Sequence, residues 1–457
     1  MPVNERALRR RALVAAGALA LTGLLGAFAP HARAAADGPG RADGATAAPV
    51  SASLLDPASV LPSAPAGSRA HARLPEPTGP FPVGTTTRHL VDTSREDPWH
   101  PGRGHREVMI GLWYPAAHAG WRTAPRTAPH MERRAAAHFG SPGGSGHLGY
   151  RVPAGAVDWA ATATHARVDA PAARGTGVRP VVLYSAGLGD PRTWNTSLVE
   201  DLASRGYVVV TVDHTYDSSE VALPGGRLAP SVLPALAAKR GTDPERVLRR
   251  AMKARVDDTR FVLDRLGDRR HRLALPHGLA AAMDLRHVGM VGHSAGGFTA
   301  VQAMHDDRRI RAAVNMDGTM EFPGAHGMSS ASRDGVDRPF LLMGTDAADS
   351  GEYRRQPSWK ALWQHSRGRG GWRGDVTLSG SEHGAYTDAA ALLPQLARQG
   401  AVPWGTVRGD VGSVRGERAV AVTRAYVASF LDRFLRGRDD GLLDGPSGRF
   451  PEVRYAR

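Results

Sequence analysis

Two kinds of hydrophobic rhythm run along this chain. The stretches Gly84-Thr85-Thr86-Thr87-Arg88-His89-Leu90-Val91 and Arg106-Glu107-Val108-Met109-Ile110-Gly111-Leu112-Trp113-Tyr114 have strand length and strand composition, and read as an antiparallel pair. After them come short apolar runs at Val181-Val182-Leu183-Tyr184, 207–212, Val288-Gly289-Met290-Val291, Ala312-Ala313-Val314, Phe340-Leu341-Leu342-Met343 and Val376-Thr377-Leu378, with helical stretches between them. A strand that is apolar on both faces needs cover on both. This alternation therefore predicts an α/β fold, a mostly parallel central sheet flanked by helices. Two of the helices are legible in detail. Asp243 caps one and Pro244 opens it; Leu248, Met252, Val256, Thr259, Leu263 and Leu266 form its stripe, and Gly267 stops it. Near the C-terminus Val427, Phe430, Leu431 and Phe434 share a face before Gly437, and both stripes are expected to pack on the core.

The rest of the chain sorts around this region. Residues 37–78 are rich in Ala, Gly, Pro and Ser and hold no Phe, Trp or Tyr, which predicts a flexible linker, with a folded domain over 79–440 and a C-terminal tail over 441–457. Residues 1–36 read as an export signal: Arg9, Arg10 and Arg11, an uncharged and mostly apolar stretch over 12–29, then the small residues around Ala34, Ala35 and Ala36. The arginine pair resembles a twin-arginine signal, although a further Arg stands where Ser or Thr is usual. A secreted protein is expected, and an uncleaved membrane anchor is the alternative.

Charge and cysteine content remove several function classes. The 58 basic and 44 acidic residues give a formal charge of +14, of which residues 1–36 contribute +4, and only Lys239, Lys253 and Lys360 are lysines. No basic run is interleaved with aromatics, so a nucleic-acid partner is not expected, whereas transient contact with a lipid interface stays open. The chain has no cysteine, which excludes a thiol nucleophile, disulfides and thiolate metal sites.

The chemistry concentrates at Gly292-His293-Ser294-Ala295-Gly296. An apolar strand precedes this G-x-S-x-G run and a helical pattern, 298–305, follows it. That is the context of a nucleophile elbow, in which a sharp strand-to-helix turn lifts a serine above the sheet edge of an α/β-hydrolase fold. The alternative, a serine in a Gly-rich turn, fits the flanks less well. Ser294 is the candidate nucleophile, and the N–H of Ala295, at the start of the following helix, is a candidate oxyanion donor. A second donor should come from the loop after an earlier strand; Ser185-Ala186-Gly187-Leu188-Gly189 occupies that place, with the N–H of Leu188 as candidate. A formal G-x-G-x-x-G occurs at Gly144-Ser145-Gly146-His147-Leu148-Gly149 but neither follows a strand nor opens a helix, and is read as a loop.

In this fold the triad runs Ser, acid, His along the chain. His305 falls in the helix after the serine and His365 in a surface helix, while His326 lies in a Gly-rich loop and stays open. His383 follows the last core strand, in a loop expected above the same sheet edge, and is the candidate base. For the acid, Asp317 lies at the end of the strand after the elbow helix, and Asp346 and Asp349 lie one strand later. Spacing does not choose among the three.

The segment Ser185 to Gly189, the elbow to Gly297, the run Val314-Asn315-Met316-Asp317-Gly318, the loop around His383 and the early Gly111-Leu112-Trp113-Tyr114-Pro115 together resemble the plasma-type platelet-activating factor acetylhydrolases and their bacterial secreted esterase relatives, over most of residues 80–435. The resemblance implies Asp317 as acid, His383 as base, and Leu188 and Ala295 as oxyanion donors. One departure is Ala186, which stands where the animal enzymes have a histidine.

These readings converge on a secreted serine carboxylic-ester hydrolase that works through an acyl-enzyme on a small-molecule or lipid ester, with no metal or organic cofactor implied. Short-acyl esters and phospholipids are expected from the resemblance. A triacylglycerol lipase or cutinase-like polyester hydrolase, an acyltransferase, and a non-catalytic binding protein on a hydrolase scaffold are the rivals. The stretch 215–241, with Val221-Ala222-Leu223-Pro224 and 232–236, is expected either to form a lid-like insert or to pack as a surface loop with a short helix.

Overall fold

The computed structural model describes residues 69–117, 126–174, 177–323, 327–346 and 352–456. The expected export signal, most of the expected linker, His326 and Asp349 lie outside the described residues. Thirteen strands lie among the described residues: β1 (Val83–Glu96), β2 (His105–Pro115), β3 (Thr127–Pro129), β4 (Ala163–Val168), β5 (Arg179–Ser185), β6 (Val208–Asp213), β7 (Val221–Leu223), β8 (Arg227–Ala229), β9 (Met283–His293), β10 (Ile310–Met316), β11 (Phe340–Thr345), β12 (Arg373–Leu378) and β13 (Val453–Tyr455). Eleven form one sheet in the order β13-β12-β11-β10-β9-β5-β6-β2-β1-β4-β3, and β7-β8 is a separate hairpin. The six strands from β12 to β6 are parallel. β1 and β2 pair antiparallel, with Gly84 opposite Tyr114 and Val91 opposite Glu107. This is the α/β-hydrolase architecture.

The period of two along each strand splits the core between the two faces. Val182 and Tyr184 enter one cluster and Val181 and Leu183 the other. On the first face lie helices α1 (Thr196–Ser204), α4 (Ala389–Arg398) and α5 (Gly416–Arg436), with Leu198, Leu393 and Phe430 in the cluster. On the second lie α2 (Pro244–Gly267) and α3 (Ala295–Asp306), with Leu248, Met252, Phe298 and Val301. Each such side chain, fully buried, contributes about 1.5–3 kcal/mol. The Asp243 carboxylate accepts from the N–H of Glu245, and Gly437 closes α5 at φ 65°, so both punctuation marks act as their residue types require.

The domain is longer at both ends than its composition suggests. Ala72 and Leu74 are buried, Ala70 exchanges backbone hydrogen bonds with Ala156 and Asp158, and Thr78 is held by Asp201. The expected linker therefore gives way to packed chain by residue 70. The segment expected as a C-terminal tail supplies the edge strand β13, antiparallel to β12, and buries Leu442, Leu443 and Phe450. Residues 145–148, expected as loop, form a single helical turn. In the insert, the β7-β8 hairpin packs Val221, Leu223 and Ala229 on Met109 of β2, and a short helix follows at Leu233–Ala238.

Candidate active site

β9 lies at the centre of the parallel sheet, between β5 and β10. After His293 the chain reverses into α3 through Ser294, which sits at φ 56° and ψ −122°. A non-glycine residue there is strained, at a cost of about 1–3 kcal/mol, and is retained where the surroundings force it. The surroundings do so by contact between strand and helix. A Cβ on Gly292 would lie 2.1 Å from the carbonyl carbon of Gly296, and one on Gly296 would lie 1.9 Å from the carbonyl oxygen of Ser185. Only glycine fits either position, and the N–H of Ser294 is fixed by the carbonyl of Met316 at 2.8 Å.

The neighbouring strand makes a second forced turn. Asp317 follows β10 at φ 56°, and its N–H donates to the carbonyl of Met343 at 2.8 Å. Its carboxylate is buried, with Thr345 Oγ1 3.2 Å from each oxygen. His383 starts the 3₁₀ turn His383–Tyr386 after β12, and its Nδ1 lies 2.6 Å from Asp317 Oδ2. Burial opposes charge on this imidazole, but the Asp317 carboxylate outweighs it, with Asp190 and Asp410 adding to the effect, and its pKa is raised above 6.5. The side chain of His383 is 36% exposed, so a reactant has access to it.

His293, the variable residue inside the elbow motif, has a part that sequence reasoning missed. Its Nε2 donates to the backbone carbonyl of His383 at 2.9 Å, and the two rings lie 4.5 Å apart. Because a carbonyl only accepts, Nε2 carries the proton and Nδ1 does not. Burial, and then the neighbouring His383, hold the His293 pKa well below the usual histidine range, so it is a neutral strut between the elbow and the His383 loop. The other candidates lie elsewhere. Asp346 accepts from the N–H of Gly380 and pairs with Arg454, which lowers its pKa. His305 pairs with Asp306 and Asp334, and His365 Nδ1 bonds the carbonyl of Ser332.

The loop Ser185 to Gly189 runs beside the elbow, and its anchor is Arg255 of α2, buried at 0% exposure. Arg255 reaches the carbonyls of Ala186 at 2.6 Å and Gly187 at 2.9 Å, and Ser185 Oγ at 3.2 Å. Its Nε and Nη2 grip Asp217 at 2.6 and 2.7 Å. Ser185 Oγ also meets His214 Nε2 at 3.0 Å, and His214 Nδ1 meets Asp258, which Arg106 holds from β2. Asp190, at the far side of the loop, has Tyr150 Oη 3.0 Å from each carboxylate oxygen; burial pushes its pKa up to about 7. Ser145, in the G-x-G-x-x-G turn, donates to the carbonyl of Gly189, so that motif braces this loop. Leu188 is buried in the loop, and Ala295 is the first residue of α3, where an N–H has no intrahelical acceptor. No group of three or more His, Asp or Glu that could hold a metal occurs among the described residues.

The arrangement is similar to that of known proteins. The family model for platelet-activating factor acetylhydrolase, isoform II, matches residues 66–224 and 275–436. A probable 1-alkyl-2-acetylglycerophosphocholine esterase from Arthroderma benhamiae is 26% identical over 408 residues, covering 84% of this chain and 93% of that protein. A platelet-activating factor acetylhydrolase from Canis lupus familiaris is 27% identical over 158 residues, covering 31% of this chain and 35% of its own. Among solved structures, a ferulic acid esterase from Streptomyces cinnamoneus aligns with a TM-score of 0.66 at 36% identity, covering 85% of this chain and all of that one. The stretch that the family match passes over, 225–274, contains Arg255.

Proposed function

The chain belongs to the platelet-activating factor acetylhydrolase, isoform II, family and is a carboxylic ester hydrolase; on that premise we propose that Ser294, His383 and Asp317 are its catalytic triad and that it acts, after export, on short-acyl esters or phospholipids. The observation that carries the reading is the 2.6 Å contact between Asp317 and His383 Nδ1, made from the turn that follows the strand beside the elbow. With Nδ1 committed to the carboxylate, Nε2 is the nitrogen left to exchange a proton with Ser294.

The reaction is two-step acyl transfer. Ser294 Oγ attacks the ester carbonyl carbon while His383 takes the hydroxyl proton. The N–H groups of Leu188 and Ala295 donate to the oxyanion, His383 returns the proton to the leaving alkoxide, and an acyl-serine remains. Water, deprotonated by His383, then attacks the acyl-serine; the C–Oγ bond breaks, His383 returns the proton to Ser294 Oγ, and the carboxylic acid leaves. Asp317 orients the imidazole and stabilises its cation.

The ferulic acid esterase favours a second reading of the substrate, an aromatic acyl ester, because its identity to this chain is 36% against 26% for the alkylacetylglycerophosphocholine esterase. A panel decides: 4-nitrophenyl esters from two to sixteen carbons, an acetylated ether phospholipid, and methyl ferulate, each with the Ser294→Ala variant as control. The proposal expects the highest kcat/KM at two to four carbons and on the phospholipid, and no turnover by Ser294→Ala. Preference for methyl ferulate installs the second reading; preference for long chains with a rate jump at an interface makes it a lipase. Turnover by Ser294→Ala at the parent rate removes the triad assignment. Export is tested by the mass of the mature protein from the culture medium, expected to lack the first 36 residues or so.

A further inference from the structure

We propose that Arg255 is the positioning residue of the oxyanion hole, turning the N–H of Leu188 toward the reacting carbonyl by holding the backbone carbonyls on the other side of the same loop. The proposal rests on the reading of Leu188 as a donor and adds what sets its direction. In a trans peptide the C=O of one residue and the N–H of the next point opposite ways, and no described peptide bond is cis. Arg255 Nη2 holds the Gly187 carbonyl, so the N–H of Leu188 points away from Arg255; Nη1 holds the Ala186 carbonyl and does the same for the N–H of Gly187.

From within, the N–H of Asp190 reaches the Gly187 carbonyl at 3.1 Å, so Arg255 shares that carbonyl with one turn hydrogen bond. The side chain of Ala186 packs in the core, but neither it nor Gly187 has a side-chain group that can hydrogen-bond. A Cβ on Gly187 would lie 2.6 Å from Asp190 and 3.3 Å from His293, so the backbone runs through a space with no room for one. The guanidinium, by contrast, is fully used. Its five N–H donors meet five acceptors, two on Asp217 and one each on Ser185, Ala186 and Gly187. Asp217 in turn accepts from the N–H of Gly189 at 3.3 Å, so one ion pair reaches four of the five loop residues. The planar fork makes this possible; an ammonium has three donors on one atom and cannot span the same set. Burying a charged pair is costly, and well-packed apolar residues of equal volume often stabilise a fold as well or better. An interaction bought at that cost, on a loop beside the nucleophile, points to geometry as its use. Polarisation of the two held peptides by the cation also strengthens their N–H groups as donors.

The test compares the parent, Arg255→Lys, and the double variant Arg255→Met with Asp217→Leu, which removes both charges and leaves none unpaired. Each is assayed with a short-acyl 4-nitrophenyl ester for kcat, KM and pH profile, and with a fluorophosphonate for its rate of attachment to Ser294, alongside circular dichroism and thermal melting. The expected result is a fall of about 10²-fold in kcat for both folded variants. KM stays within about threefold, the pH inflection does not move, and the phosphonylation rate falls in step, because the phosphoryl oxygen needs the same donors. A merely structural role would lower the melting temperature without that split. A folded variant with kcat within about threefold of the parent overturns the proposal, as does a double variant that recovers the activity lost in Arg255→Lys. If the parent itself is not labelled at Ser294, the triad reading fails instead, and the two failures are distinguishable.

Discussion

Asp317 and His383 are 66 residues apart in sequence, and their side chains meet at 2.6 Å because β10 and β12 end at the same edge of the sheet with only β11 between them. Asp346, one strand further along than Asp317, is spent on Gly380 and Arg454 instead. Asp317→Asn should therefore lower kcat by about 10⁴-fold, since an amide imposes the wrong imidazole tautomer. Asp346→Asn should stay within about tenfold of the parent. Steady-state kinetics on one aryl ester measure both, and the reverse ranking would reject Asp317 as the acid.

The raised pKa of His383 sets a direction for the pH profile. As the proposed base, His383 works neutral, so activity should be lost as pH falls through its pKa, and Asp317 lifts that value above 6.5. The acid limb of kcat/KM should inflect above pH 6.5. In Asp317→Asn the lifting charge is gone while burial still disfavours the cation, so the inflection should move down. A limb in that variant at or above the parent's would contradict the cause assigned here.

His293→Phe keeps a flat ring against His383 but removes the hydrogen bond to its carbonyl. Leaving that partly buried carbonyl unpaired costs about 1 kcal/mol or more, and the His383 loop loses its tie to the elbow. We expect a kcat lower by about tenfold in a protein that still melts cooperatively. Unchanged kcat would show that the loop is fixed by its other contacts alone.

Phe450 tests the C-terminal edge. It is 1% exposed and packs against Tyr426 of α5 just before β13. Phe450→Ala should cost about 3–5 kcal/mol of stability, read by urea unfolding. A midpoint equal to the parent's would mean that the segment after residue 440 is dispensable.

What the sequence made legible, and what it hid, follows from the kind of signal each feature leaves. The Val-rich runs of β5, β6 and β9 and the glycines around Ser294 are local patterns, and they appear where those patterns put them. The first packed segment was hidden because Leu74 is its one large apolar residue, and the last because Leu442, Leu443, Phe450 and Val453 stand among Gly, Pro and charged residues with no clear period. Even so, exposure alternates along His71, Ala72, Arg73 and Leu74 in the manner of a strand. The choice between Asp317 and Asp346 as acid was hidden because they follow adjacent strands, and only their contacts across the sheet separate them. Arg255 was hidden by its charge, since an arginine in an Arg-rich helix is normally read as solvated. Its position held a signal all the same: 248, 252, 255 and 259 are spaced as one buried stripe, with an arginine at an apolar place.

Covalent labelling tests the central claim most directly. The native protein is treated with a fluorophosphonate, its intact mass is measured, and the modified residue is located by peptide sequencing. The account predicts one adduct per chain, on Ser294, formed slowly in Asp317→Asn and not at all in Ser294→Ala. An adduct on another residue, or folded protein that stays unlabelled while hydrolysing esters, would contradict it.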